Sequence, residues 1–92
     1  MPRISTHPGE ILQHEYLEPL GLSARGLAIA IDVPPNRLTD LVRGRRGVTA
    51  DTALRLAHYF KTDPRFWLNL QAAYDLSKAI NSTDYSRLPV HA

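Results

Sequence analysis

Apolar side chains recur along this chain at spacings of three and four residues, and no stretch alternates polar with β-branched residues. Spacings of three and four bring apolar side chains to one face of a helix, whereas alternation is typical of a half-buried strand. Prolines, glycines and capping residues divide the pattern into five segments joined by short turns. The sequence therefore predicts an all-α fold of five helices.

The first two predicted helices have defined ends. The first opens at Pro8, because proline suits the first helical position, and it stops at Pro19 and Gly21. The second follows Ser23, a good N-cap residue, and stops near Asp32. The side chains predicted to face the core are Ile11, Leu12, Tyr16 and Leu17 from the first helix, and Leu27, Ala28 and Ile31 from the second.

The three remaining helices are delimited in the same way. The third begins at Pro35 and ends at Gly44, a residue typical of helix C-termini. Thr49 caps the fourth helix and Asp63 the fifth, which runs to about Ile80. The predicted core-facing sets are Leu38, Leu41 and Val42, then Ala53, Leu54, Leu56, Ala57 and Phe60, then Phe66, Trp67, Leu70, Ala73, Tyr74 and Leu76.

The length of 92 residues corresponds to one domain, which we place at residues 1–80, followed by a flexible C-terminal tail at 81–92. The sequence has no cysteine, which excludes disulfides, thiolate zinc sites and a cysteine nucleophile. It has neither an apolar run approaching 18 residues nor a charged-then-apolar leader, so we expect no membrane span and no Sec-type signal. A soluble cytoplasmic protein is the default expectation.

Positive charge is concentrated in the middle of the chain. The whole chain has a net charge of +2, but residues 25–46 contain five arginines and two aspartates and so carry +3. None of these cations is lysine, and arginine favours bidentate recognition of phosphates and guanine edges. The alternative is a solvated charged face without a ligand.

The second and third helices, with the short turn between them, form a candidate helix-turn-helix unit. Leucines occupy one side of the third helix, and the opposite side carries Asn36, Thr39, Asp40 and Arg43, with Arg37 on the flank. In the DNA major groove, asparagine can pair with adenine, arginine with guanine and aspartate with cytosine. Asp40 also stands three residues from two arginines, so its alternative role is to orient one of them.

The loop after the third helix carries Arg45 and Arg46 between Gly44 and Gly47. Arginines beyond a recognition helix are well placed to contact backbone phosphates, and such contacts add affinity rather than sequence choice. For each single arginine, an exposed solubilising charge is the alternative.

The sequence predicts no enzyme and no bound metal or cofactor. The metalloprotease pattern fails, because Glu18 stands four residues after His14, where a second histidine is required. The four histidines show no metal-ligand spacing, Ser23 and Ser77 lack a nucleophile-elbow context, and no glycine-rich phosphate cradle is present. A small hydrolase is therefore the least favoured interpretation.

Four segments of the chain together resemble a known family. They are residues 7–12 (HPGEIL), 17–23 (LEPLGLS), 43–56 (RGRRGVTADTALRL) and 66–71 (FWLNLQ). In this order they resemble the HigA antitoxins, also called VapI-type, of the xenobiotic-response-element (Xre) class of helix-turn-helix proteins. The resemblance covers about residues 6–80. It implies a five-helix, lambda-repressor-like DNA-binding fold and a homodimer.

The resemblance also implies two activities: neutralising a HigB-type, ribosome-dependent mRNA-cleaving toxin of the RelE superfamily, and repressing the operon that encodes the toxin and antitoxin. Among these implications, only DNA binding has independent support in the residues. A dimer would place two recognition helices about 34 Å apart and favour a palindromic operator. The alternatives are a stand-alone Xre-type transcriptional regulator without a toxin partner, and a protein-interaction module whose basic loop docks on an acidic partner.

Matched position by position, the resemblance assigns the recognition helix to residues 35–43. Two residues depart from the family pattern. Asp32 stands where the turn commonly has glycine, and we expect it to adopt the left-handed conformation at a modest cost. Gly26 stands in mid-helix, where it should cost about 1 kcal/mol relative to alanine unless another backbone approaches closely. The candidate base contacts are Asn36, Arg37, Thr39 and Asp40, and the candidate phosphate contacts are Ser23, Arg25, Arg43, Arg45 and Arg46.

The fifth helix carries two ambiguous features. Phe66, Trp67 and Leu70 form either an exposed patch for a partner or part of the core, and their helical spacing favours the core. An edge of small and aromatic residues is the candidate dimer interface, with packing inside one chain as its alternative. This edge comprises Leu70, Ala73, Tyr74 and Ser77.

Overall fold

The structure, a computed structural model, describes residues 4–91. Its five helices are α1, which runs from Pro8 to Leu20, α2 (Ala24–Ala30), α3 (Pro35–Val42), α4 (Ala50–Phe60) and α5 (Pro64–Ser82). No strand occurs among the described residues. The predicted all-α fold and its five helices are confirmed.

Helix α1 is wider in its middle than at its ends. Pro8–Ile11 and Glu18–Leu20 are α-helical, whereas Leu12–Leu17 is π-helical. In a regular α-helix the ring of Pro19 would clash with the carbonyl four residues earlier, and proline has no N–H to complete the turn. The wider turns before Pro19 therefore allow the helix to continue through the proline.

The helix ends follow the predicted capping residues. The side chains of Ser23, Thr49 and Asp63 each accept a hydrogen bond from a backbone N–H in the first turn of the helix that follows. Gly21 and Gly44 end α1 and α3 in the left-handed conformation, with φ angles of 66° and 74°. Each of these residues therefore has the backbone conformation that is typical of its position at a helix end.

The structure shows the surroundings of Asp32 and Gly26, the two residues that depart from the family pattern. Asp32 has a φ of 60°, so the left-handed conformation predicted for it is confirmed. A Cβ built on Gly26 would meet the Ser23 hydroxyl at 3.1 Å and no backbone of another element within 4 Å. Close backbone approach therefore does not explain Gly26. The mid-helix position predicted for it was wrong, since Gly26 lies in the first turn of α2 and its N–H donates to the Ser23 hydroxyl at 2.9 Å.

The core forms around Trp67, which is completely buried. Its indole Nε1–H donates to the Thr62 hydroxyl at 3.0 Å, and its ring packs against Tyr16 at a centroid distance of 5.0 Å. The core interpretation of Trp67 is confirmed, while Phe66 is 37% exposed and Leu70 is half-buried. Leucines from α1 to α4 complete this core: Leu12, Leu17, Leu27, Leu38, Leu41 and Leu56.

Four residues predicted to face the core lie on the surface, so the prediction was wrong for them: Leu54, Phe66, Ala73 and Leu76. Leu54 is 59% exposed and Leu76 is 63% exposed. In α4 the buried side is defined by Ala53 and Leu56, and position 54 is turned about 100° away from position 53. Leu76 lies near the end of the packed part of α5, since Ser77 is the last buried residue among those described.

The N-terminus of α1 fixes the last turn of α3. A Cβ built on Gly9 would lie 1.9 Å from the Leu41 carbonyl oxygen, so only glycine permits this approach. His7 caps α1, because its Nδ1 accepts the Gly9 N–H at 2.9 Å. The His7 ring also contacts the Tyr74 ring edge-on at 4.7 Å, which joins the start of α1 to α5.

Helix α5 ends at Ser82, two residues beyond the predicted end. The residues after it, 83–91, are exposed and contain one turn of 3₁₀-helix at Tyr85–Arg87. The flexibility of this tail stays a prediction. Within residues 4–91, no helix combines the length and the apolar composition needed to cross a membrane.

Candidate nucleic-acid interface

Helices α2 and α3 are joined by a tight turn. The turn is closed by its own backbone, because the Val33 N–H donates to the Ala28 carbonyl at 3.0 Å. It is also held from α4, since the Arg55 guanidinium donates to the carbonyls of Ile31 at 2.8 Å and Asp32 at 3.1 Å. The helix-turn-helix unit is thereby attached to α4 at its turn.

Helix α3 presents its predicted polar side outward. Leu38 and Leu41 are buried, whereas Asn36 is exposed and Thr39 and Asp40 are half-buried. The orientation predicted from the helical pattern is therefore confirmed. The base contacts assigned to the outward residues stay predictions.

Arg37 is turned sideways toward α4. Its guanidinium donates a short hydrogen bond to the carboxylate of Asp51, and Arg55 donates to the same carboxylate at 3.0 Å. The hydrogen bond from Arg37 is the largest effect on Asp51 and holds the pKa of its carboxyl below the ordinary value; desolvation opposes it, and the contact with Arg55 adds to the lowering. Arg37 is thus engaged within the protein, whereas the side chain of Asn36 makes no hydrogen bond to any residue in the described range 4–91.

Asp40 associates with the loop that follows α3. Its carboxylate lies 3.8 Å from the Arg46 guanidinium, and its carbonyl accepts the Arg45 N–H at 2.9 Å. The arginine that pairs with Asp40 is therefore Arg46, and among residues 4–91 neither Arg37 nor Arg43 forms an ion pair with it. Asp40 is 32% exposed, so its carboxylate is still accessible to a base.

The arginines after α3 lie together in one short loop, residues 43–49, which we call the arginine loop. Arg43, Arg45 and Arg46 are all exposed, and within residues 4–91 the side chains of Arg43 and Arg45 make no ion pair. Such unpaired guanidinium groups are suited to phosphate oxygens, which they can contact bidentately. The arrangement favours recognition of a polyanion.

Ser23 and Arg25 lie apart from this loop in the chain, at the start of α2. Both residues are exposed, and the Ser23 hydroxyl accepts the Gly26 N–H at 2.9 Å. Within the described part of the chain, no hydrogen bond or ion pair joins either side chain to α3 or to its loop. Their phosphate contacts stay predictions.

Three residues that hold this surface in place were not predicted from the sequence: Asp51, Arg55 and Gln71. Gln71 lies on α5, and its Oε1 accepts the Val48 N–H of the loop at 2.8 Å. The spacing of four residues between Asp51 and Arg55, and between Gln71 and Asp75, is visible in the sequence and indicates side-chain pairs within a helix. The contacts of these residues with other elements follow no spacing that is visible in the sequence.

The candidate dimer edge on α5 is partly used inside the chain. Tyr74 packs against His7, and Ser77 is buried, with its hydroxyl accepting the Ser5 N–H at 2.9 Å and donating to the Tyr74 carbonyl at 2.8 Å. These contacts favour the alternative of packing within one chain for Tyr74 and Ser77. Ala73 is exposed, and the dimer interface stays a prediction.

The side chains of this region offer hydrogen-bond donors for phosphates and bases rather than metal ligands. Among residues 4–91, no three histidine, aspartate or glutamate side chains are grouped closely enough to hold a metal ion. Burial lowers the pKa of His7, and its Nδ1 is used as the helix cap. The geometry is that of a binding surface.

Known proteins share this architecture. The chain matches the Helix-turn-helix family over residues 14–67, more than half of its length. Virulence-associated protein I of Dichelobacter nodosus is 60% identical over 79 residues, which cover 86% of this chain and 71% of the relative. Antitoxin HigA-1 of Vibrio cholerae is 45% identical over 69 residues, which cover 74% of this chain and 64% of the relative.

A solved structure, Pseudomonas aeruginosa antitoxin HigA with the higBA promoter, superimposes with a TM-score of 0.84 at 44% identity, covering 87% of this chain and 86% of that one. The matched residues include α2, α3, the arginine loop and α4, so the family match coincides with the surface described above. The resemblance seen in the sequence is thereby confirmed. This chain belongs to the Xre-type helix-turn-helix family that includes the HigA antitoxins and virulence-associated protein I.

Proposed function

We propose that this protein is a sequence-specific DNA-binding antitoxin that inserts α3 into the major groove and places the arginine loop on the DNA backbone. One observation carries the proposal: α3 presents Asn36 to solvent and leads directly into Arg43 and Arg45, whose guanidinium groups have no acidic partner among residues 4–91. Phosphates would supply the missing anions. The Pseudomonas structure with promoter DNA supports this use of the fold.

Base recognition is proposed first for Asn36 and Thr39. The Asn36 amide can pair with adenine N6 and N7, and the Thr39 methyl group can contact a thymine methyl. Asp40 can accept from cytosine N4 while it orients Arg46. Arg37 can reach a guanine only by leaving or sharing Asp51, so its base contact depends on a change in that ion pair.

Phosphate recognition is proposed for the exposed cations around α3 and for the start of α2. The loop supplies Arg43, Arg45 and Arg46, and α2 supplies Arg25 and the Ser23 hydroxyl. Such contacts fix the orientation of the protein on the duplex without selecting a sequence. They make the affinity depend on salt concentration, because each phosphate contact releases counterions.

We propose that the protein binds a palindromic operator as a homodimer. Two copies of α3 about 34 Å apart would enter successive major grooves on one side of the duplex. We propose that the dimer represses its own operon in this way and acts in the cytoplasm, where the DNA is. No enzymatic activity is proposed, since the surface is suited to binding.

The second proposed activity is neutralisation of a HigB-type toxin, supported by the antitoxin name of the Vibrio relative. The test is co-expression with the protein from the neighbouring reading frame, followed by purification and titration with a labelled promoter duplex. We expect the two proteins to copurify and the promoter to be bound about a thousandfold or more tightly than a scrambled duplex.

Each half of the proposal can fail separately in this experiment. Promoter binding without a protein complex would contradict the antitoxin activity and leave a stand-alone transcriptional regulator. A protein complex that binds promoter and scrambled DNA equally would contradict operator recognition. A scrambled duplex of the same length and base composition is the matched control, since it keeps the number of phosphates constant.

A further inference from the structure

Gln71 connects α5 to the arginine loop through one side-chain amide. Its Oε1 accepts the Val48 N–H at 2.8 Å, and its Nε2 donates to the Asp75 carboxylate at 2.9 Å. The side chain is half-buried, and the two contacts lie on opposite ends of the amide. A residue outside the helix-turn-helix unit is therefore bonded to the backbone of the loop.

Hydrogen-bond chemistry fixes the orientation of this amide. A backbone N–H such as that of Val48 can only donate, and an ionised carboxylate such as that of Asp75 can only accept. The amide oxygen must therefore face the loop, and the amide nitrogen must face Asp75. Asp75 stands one helical turn after Gln71 and prevents the amide from rotating away from the loop.

The loop also approaches Gln71 closely at Gly47. A Cβ built there would lie 3.0 Å from the Gln71 amide carbon and oxygen and 3.1 Å from its nitrogen. The next residue, Val48, is 7% exposed, so its side chain lies in the core while its N–H is held by Gln71. The end of the loop is thus fixed by packing and by a hydrogen bond.

The beginning of the loop is fixed independently. Gly44 ends α3 in the left-handed conformation, and the Arg45 N–H donates to the Asp40 carbonyl at 2.9 Å. Arg45 and Arg46 therefore lie between two anchored points of the backbone. A loop that is already ordered loses less conformational entropy when it binds, so its contacts contribute more to affinity.

We propose that Gln71, held by Asp75, is a positioning residue that keeps the arginine loop in the conformation required for phosphate contact. The inference rests on the proposed DNA-binding function and extends it to α5. It makes a residue of α5, outside the helix-turn-helix unit, responsible for part of the backbone affinity. The substitution Gln71→Met tests it, because methionine keeps the length and helix propensity but cannot accept the Val48 N–H.

We expect Gln71→Met to weaken operator binding about three- to tenfold, the scale of one lost hydrogen bond. Amide hydrogen exchange at Val48 should become faster, which a change elsewhere in α5 would not produce. Gln13→Met is the matched control, since Gln13 donates to Glu18 at 3.5 Å within α1 and, among residues 4–91, makes no hydrogen bond to the loop. It should leave operator affinity and Val48 exchange unchanged.

Two further variants keep the test decisive if Gln71→Met folds poorly. The double exchange Gln71→Glu with Asp75→Asn preserves the net charge and restores both hydrogen bonds. The carboxylate at position 71 would accept the Val48 N–H, and the amide at position 75 would donate to that carboxylate. It should return affinity to within about twofold of the wild type. Gly47→Ala places a Cβ against Gln71 and should weaken binding in the same direction as Gln71→Met.

The background Arg45→Ala with Arg46→Ala separates the positioning role from the proposed function. If Gln71 acts through these arginines, Gln71→Met should cause little further loss there, because interacting positions are not additive. An equal loss in both backgrounds, or no loss in the wild type, would overturn the positioning role. Unchanged affinity in the double arginine variant itself would contradict the phosphate contacts of the loop.

Discussion

Asn36 and Arg37 are neighbours on the first turn of α3, yet their side chains have different surroundings. Asn36 is exposed, whereas Arg37 is bonded to Asp51 on α4. Successive residues of an α-helix point about 100° apart, so one can face solvent while the next faces another helix. The outward face of α3 was predictable from this periodicity. The partner of Arg37 was not, because Asp51 is 14 residues away on an element whose position depends on packing.

Replacing Asn36 with alanine should weaken operator binding by about 1–3 kcal/mol and leave binding to random DNA unchanged, because a base contact is lost while phosphate contacts remain. Alanine is a good helix former, so α3 should stay folded. Titration of labelled operator and scrambled duplexes measures both affinities. Asn69→Ala, at another exposed asparagine, is the control, and an equal loss on both duplexes would contradict base recognition by Asn36.

At the scale of elements, the contact between α1 and α3 leaves no room for a side chain at Gly9. Gly9→Ala should destabilise the protein by about 1–3 kcal/mol or more, because the new Cβ would overlap the Leu41 carbonyl oxygen. Urea denaturation followed by circular dichroism measures the free energy of unfolding. Gly26→Ala is the comparison, since its Cβ would meet only the Ser23 hydroxyl, at 3.1 Å, and no backbone atom of another element. A larger loss at Gly26 than at Gly9 would contradict the proposed packing.

The cap of α1 makes stability depend on pH. Burial is the largest effect on His7 and lowers its pKa; Glu10 and Asp75 act against this, and Lys78 adds to it. Between the folded and unfolded pKa values the unfolded chain binds more protons, so stability increases with pH in that window. The contribution of neutral His7 to the free energy of unfolding is fully present above the unfolded pKa of about 6.5. It is lost as the pH falls through the folded pKa.

Protonation also replaces the acceptor at Nδ1 of His7 with a donor facing the Gly9 N–H. Unfolding free energies measured between pH 7.5 and 5 should therefore decrease in the wild type and decrease less in His7→Asn. Asparagine is a good N-cap that does not titrate in this range, so it preserves the cap. The same pH dependence in both proteins would exclude His7 as the source of the effect.

At the scale of the whole molecule, the helix count, the caps and the burial of Trp67 were predictable from periodicity and punctuation. Four apolar side chains were misplaced, because spacing alone does not show how wide the buried face of a helix is or where the body of the protein ends; they are Leu54, Phe66, Ala73 and Leu76. The bridges that hold the candidate interface, such as Gln71 to Val48, join elements far apart in sequence. They depend on tertiary packing, which the local pattern does not contain.

The proposed dimer has a direct test at Ala73, which is the exposed member of the predicted edge. Ala73→Arg should shift the protein toward monomer in sedimentation experiments, because a charged side chain would be buried between the two copies. It should also weaken binding to the palindromic operator more than binding to a half-site. Ala72→Arg, turned about 100° away on the same helix, is the control. A dimer that persists in Ala73→Arg would move the interface to another surface.

The salt dependence of operator binding tests the central claim that α3 and its arginine loop form a DNA-binding surface. Affinities of the wild type and of Arg45→Ala with Arg46→Ala are measured at several salt concentrations. Arg65→Ala with Arg87→Ala removes the same charge elsewhere and is the control. We predict that the loop variant binds more weakly. The magnitude of its slope of log K against log salt should be smaller by about 1.8, since two phosphate contacts are lost and each contributes about 0.9. A loop variant with the affinity and slope of the wild type would contradict the claim.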